Sequence, residues 1–135
     1  SVITKATEDE APRDVAVDSV GGKVYWTSKC CGVRRSSLDG QDEEPVAPTP
    51  GASGIAVDPA AGLLFWTERQ SGQLWQADLN GSNVKPIASG LAEPVDVAID
   101  SDTGRVYWLD AGLQRIERAR FDGSAREAIN ASWTT

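Results

Sequence analysis

Hydrophobic residues in this chain come in short alternating runs, and the runs recur. "DVAVD" at 14–18, "GIAVD" at 54–58 and "DVAID" at 96–100 share one pattern. A period of two places Val15 and Val17 on one face of a strand. "KVYWT" at 23–27 predicts a second strand, rich in β-branched and aromatic residues. "GQLWQADL" at 72–79 alternates again and predicts a third. "VKPIA" at 84–88 predicts a fourth, outer strand, where Pro86 suits an edge. Between the runs lie "LDG", "LNG" and "FDG", which supply the positive φ that tight hairpins need. No 3.6-residue apolar stripe is present, which excludes helical repeats.

The pattern keeps one phase along the chain. Trp26, Trp66 and Trp108 step by 40 and 42 residues, as do Asp18, Asp58 and Asp100. The Gly of the hairpin turns, at 40, 81 and 123, steps by 41 and 42. Four short strands in about 42 residues is the size of one propeller blade. The fold expected is all-β: three four-stranded blades, with repeats at 12–47, 52–88 and 94–130. The tryptophans of the runs are expected to pack between blades, and the three aspartates to cap turn backbone groups. Trp75 and Trp133 have no counterparts in the other copies, which makes them candidates for exposed or interface aromatics.

The series "VAVD…VYWT…SSLDG", "IAVD…LFWT…ADLNG" and "VAID…VYWLD…ARFDG" resembles the YWTD repeat, the low-density-lipoprotein-receptor class B repeat. The resemblance covers nearly the whole chain. It implies a six-bladed β-propeller, extracellular, that binds other proteins. It also implies that the loops entering the inner strands and those between second and third strands share the ligand-docking face. The fourth motif position departs from aspartate at Ser28 and Glu68 and keeps it only at Asp110, while Leu109 replaces threonine.

Three blades leave two apolar sheet faces open to water, and such faces mark association sites. The simplest closure is a twofold homodimer, three blades plus three. The alternative is that the chain is part of a longer propeller. Both "SVITK" at 1–5 and "REAIN" at 126–130 fall in the phase of the outer strand, so either can complete a neighbouring blade by strand addition.

Charge narrows the partners. The net charge is -7 and the isoelectric point about 4.5, which argues against nucleic acid. No apolar run reaches a membrane-spanning length. The chain holds two cysteines and no histidine. That excludes Ser-His-Asp and Cys-His catalysis and disfavours a zinc site. No enzyme activity, metal or cofactor is expected. The start at Ser1 reads as a mature, secreted form, and Asn80 and Asn130 head N-glycosylation sequons.

Candidate ligand contacts collect on one face. Incoming loops contribute Arg13, Asp14, Ser53 and Asp96; the loops between second and third strands contribute Ser28, Cys30, Cys31, Glu68, Gln70 and Asp110. Cys30 and Cys31 have three readings: a vicinal disulfide, an interchain disulfide, or free thiols. Two functions compete. One is a secreted lectin, whose glycan ligand would meet aromatic or disulfide plates beside Asp and Gly groups. The other is a protein-recognition module.

Overall fold

The structure, a computed structural model, describes residues 11–129. Among the described residues, twelve strands form three sheets. The first holds β1 (Pro12–Asp18), β2 (Lys23–Ser28), β3 (Gly32–Ser37) and β4 (Glu44–Ala47). The second holds β5 (Ala52–Asp58), β6 (Leu63–Glu68), β7 (Gln73–Asp78) and β8 (Lys85–Ala88). The third holds β9 (Pro94–Asp100), β10 (Arg105–Asp110), β11 (Arg115–Arg120) and β12 (Glu127–Ala128). Each is a meander of antiparallel neighbours in chain order. The inner strands β1, β5 and β9 touch in succession, so the sheets stand side by side around a common axis as blades. The expected outer strand at 126–130 is observed as β12, whereas 1–5 lies outside the described residues.

Turn chemistry holds each inner hairpin. Val20 and Gly21 donate backbone N–H to Asp18 Oδ1, at 3.0 and 2.8 Å. Ala61 donates to Asp58 and Asp102 to Asp100 in the same way. These are Asx turns, which set the corner that returns the chain as the second strand.

The core is two seams between blades. Tyr25, Val33 and Ala47 of blade one meet Ile55, Leu64, Trp66 and Ala77 of blade two. Phe65, Leu74 and Ala88 of blade two meet Val97, Val106, Trp108 and Ala119 of blade three. Successive strand residues point to opposite faces. So Trp66 and Trp108 go to the seam with the preceding blade, while Tyr25 and Phe65 go to the seam with the following one. Fully burying a side chain such as Leu64 or Phe65 contributes about 1.5–3 kcal/mol, which makes the seams the main source of stability. Trp75 is not a presented aromatic. It is half-buried and stacks on Trp66, with ring centroids 6.2 Å apart, because register pairs the two across β6 and β7. Trp133 lies outside the described residues.

Polar contacts cross the seams as well. Asp14 accepts from Ile55 N–H of the next blade at 3.0 Å. The Thr27 hydroxyl donates to the Ser53 carbonyl, and Trp66 donates Nε1–H to the Thr49 hydroxyl at 3.1 Å.

Candidate functional site

Loops at one end of the blades enclose a cleft of about 790 Å³. Its wall takes Arg13 and Lys29 from blade one, Pro50 and Gly51 from the loop into blade two, Glu68, Gln70 and Ser71 from blade two, and Ala92 and Glu93 from the loop into blade three. Both loop sets expected to share a face therefore do line one cleft. The DG-type turns, with exposed Asn80, lie at the other end of the strands. Asn130 lies outside the described residues.

The fourth motif position shapes this cleft, and it does so differently in each blade. Asp110 is fully buried. Ala92 and Glu93 donate backbone N–H to its two carboxylate oxygens, both at 2.9 Å, and Leu113 donates at 3.2 Å. Burial alone pushes this carboxyl's pKa up from 3.8, but backbone donors at Ala92, Glu93, Leu113 and Gly112 outweigh it and hold it below that value. Asp110 thus ties the incoming loop to its own blade. It is not a presented ligand group, contrary to the sequence expectation.

Glu68 occupies the same position in blade two, but its loop offers fewer donors. The counterparts of Ala92 and Glu93 are Pro50 and Gly51. Proline has no N–H to give, and Gly51 donates its own to the Lys29 carbonyl at 2.8 Å. The Ser71 hydroxyl donates to Glu68 Oε1 at 2.9 Å. Oε2 is buried at the cleft wall with no hydrogen-bond partner among the described residues. A buried acceptor in that state costs about 1–3 kcal/mol. Ser28, the blade-one counterpart, is also buried, and its hydroxyl has no hydrogen-bond partner among the described residues. It is not among the residues that line this cleft.

The remaining expected residues divide between two places. Arg13, Glu68 and Gln70 line the cleft. Asp14, Ser53 and Asp96 border a smaller hollow with Arg13, Gly54 and Leu109 at the inner strands. Asp14 is already engaged in the seam, and Asp96 caps its own strand through Val97 N–H at 2.9 Å. Cys30 and Cys31 are joined to each other as a vicinal disulfide. They sit half-buried in the turn after Lys29 and are not among the cleft-lining residues. Lys29 and Glu93 were missed by sequence reasoning. Lys29 carried a signal: it precedes the cysteine pair in the loop already assigned to this face. Among the described residues, no cluster of His, Cys, Asp or Glu could hold a metal ion. No helix among the described residues is long and apolar enough to cross a membrane.

Stacked four-stranded blades with a cleft at one axial end define a propeller-type scaffold. Comparison with known proteins places it further. The family described as low-density lipoprotein receptor repeat class B matches residues 104–130. The vitellogenin receptor Yl of Drosophila melanogaster is 30% identical over 127 residues, covering 89% of this chain and 6% of that protein. Human low-density lipoprotein receptor-related protein 5 is 33% identical over 131 residues, covering 87% of this chain and 8% of that protein. A low-density lipoprotein receptor-related protein 1 of Pyricularia oryzae is 26% identical over 125 residues, covering 75% and 40%. A solved structure, a nidogen/laminin complex, superposes with a TM-score of 0.84 at 24% identity, over 92% of this chain and 50% of that one. That likeness concerns the fold. The chain belongs to the YWTD, or low-density-lipoprotein-receptor class B, repeat family. It spans a small part of the length of these receptor relatives.

Proposed function

We propose that this chain is an extracellular protein-recognition module, a binding protein rather than an enzyme, and that it acts as half of a six-bladed ring. Its ligand segment docks in the cleft between Arg13, Lys29, Glu68, Gln70 and Glu93. The observation that carries this reading is Glu68 at the cleft wall, whose Oε2 is buried without a hydrogen-bond partner among the described residues; a ligand reaches that oxygen once the Glu68 side chain turns into the cleft. A peptide offers a backbone or side-chain N–H to it, and carboxylate or carbonyl groups to Arg13 and Lys29, which are exposed beside it. Receptor relatives favour a protein ligand over the lectin reading. The sugar-stacking argument also loses its plates: Trp75 packs in a seam and the disulfide stands outside the cleft. A glycan at Asn80 would project from the opposite end and leave the cleft open.

The test is selection of a phage-displayed random peptide library on the purified chain, beside a glycan array. Expected are peptides that compete for one site and bind the Glu68→Gln variant about tenfold more weakly, one lost hydrogen bond's worth. Sugar binding with no peptide selected would overturn the reading in favour of the lectin.

A further inference from the structure

The turn that joins β2 to β3 carries chemistry that the cleft does not use. Cys30 and Cys31 are bonded to each other there, half-buried, between exposed Lys29 and buried Gly32. They are the two cysteines of the chain, so a reduced pair can reclose only on itself or on a sulfur from outside. Because the bond joins neighbours, it closes the shortest loop a disulfide can close. A short loop restricts the unfolded chain least and stabilises the fold least. Adjacent residues also hold their Cα atoms only 3.7 Å apart, closer than the roughly 4.4–6.8 Å at which disulfides usually form. Bonds made at unfavourable spacing are the more easily reduced.

Backbone contacts hold this turn without help from sulfur. Ser28 and Gly32 pair in register across the hairpin. Gly51 donates its N–H to the Lys29 carbonyl at 2.8 Å, which ties the turn to the loop entering blade two. Gly32 sits against the end of β4 and the residues after it, where a Cβ would collide with the Ala47 carbonyl and with the Thr49 backbone nitrogen. Its φ of 72 is a left-handed corner that glycine adopts without steric cost. The same corner recurs in the corresponding turns of the other blades, at Gly72 with φ 69 and Gln114 with φ 53, and neither turn holds a cysteine. A corner common to three blades does not depend on a bond present in one. Neither cysteine belongs to a core seam, so opening the bond removes no seam packing.

We infer that Cys30–Cys31 is an exchangeable disulfide, a site of reversible reaction with thiols of the glutathione class that leaves the blade folded. An external thiolate attacks one sulfur, the Cys30–Cys31 bond breaks, and the other sulfur leaves as a thiolate that takes a proton. A second external thiolate then attacks the mixed disulfide. The pair ends as two thiols, having gained two electrons and two protons, and the two external thiols end as one disulfide. The freed sulfur stands on the neighbouring residue, so it can also expel the adduct and restore the bond. This site goes beyond the protein-recognition reading and does not rest on it.

Maleimide labelling followed by intact-mass measurement tests it, since every label must sit on Cys30 or Cys31. The native chain is held in about 10 mM reduced glutathione with about a hundredth part of the oxidised form, where a structural disulfide stays closed. About half of the chains or more should take two labels there, against about 1% for a structural bond. The far-UV β-sheet signal and the denaturant midpoint should match those of the oxidised chain. Removing the glutathione by dialysis in air should return the chain to an unlabelled, closed form. The Cys30→Ser/Cys31→Ser chain should fold with the same spectrum. Labels that appear only after denaturant is added, labels that arrive together with loss of β-sheet signal, or a doubly substituted chain that does not fold would each overturn the inference. No readout involves the cleft, so this inference and the proposed ligand site can fail separately.

Discussion

Blade three and blade two solve the same local problem in opposite ways. Each must attach an incoming loop to the end of its second strand. Blade three uses a short carboxylate, Asp110, saturated by backbone donors from Ala92, Glu93 and Leu113. Blade two has a longer carboxylate, a proline where the first donor should be, and a serine hydroxyl that occupies one oxygen. Its loop is tied instead through Gly51 to the Lys29 carbonyl of blade one. The same motif position is therefore a saturated anchor in one blade and, in the other, a carboxylate with one buried oxygen left without a partner among the described residues. Repetition conserves a fold position without conserving its task.

The comparison breaks most readily at Asp110. Asp110→Ala strands buried N–H groups and should cost about 2–4 kcal/mol, read as a lower denaturant midpoint. Acid should act in the same direction. The folded pKa of Asp110 lies below its ordinary 3.8. Its stabilisation is thus complete above that pH and fades as pH falls through the lower folded value. Asp110→Asn should flatten the slope of stability against pH from 3.8 downward. A smaller effect is expected at Glu68. Glu68→Gln keeps its shape and exposes nothing new, so stability should stay within about 0.5 kcal/mol. The smallest effect sharpens the contrast. Glu68→Asp with Pro50→Ala restores one of the blade-three backbone donors in blade two, and a double-mutant cycle should give a favourable coupling of about 1 kcal/mol.

Much of this was legible in the residues. Alternation placed the strands, because a half-buried strand must alternate, and Asp-Gly and Asn-Gly marked the corners. Asp18, Asp58 and Asp100 read correctly as turn caps, since an aspartate ahead of a glycine turn has few other partners. The shared face of the two loop sets followed from the family resemblance. The split between Asp110 and Glu68 did not. It depends on which backbone N–H groups an incoming loop can offer, and Pro50 lies 18 residues before the side chain it affects. Trp75 was misread because its partner, Trp66, belongs to the adjacent strand, and only register brings them together. Cys30 and Cys31 sit in the expected turn, yet the curve of that turn presents Lys29 to the cleft instead.

The direct measurement is a paired one: denaturant midpoint and selected-peptide affinity for Asp110→Asn and Glu68→Gln, side by side. The account predicts that Asp110→Asn loses stability, while Glu68→Gln keeps its stability and loses peptide affinity. Equal destabilisation by both, with peptide affinity unchanged in Glu68→Gln, would contradict it.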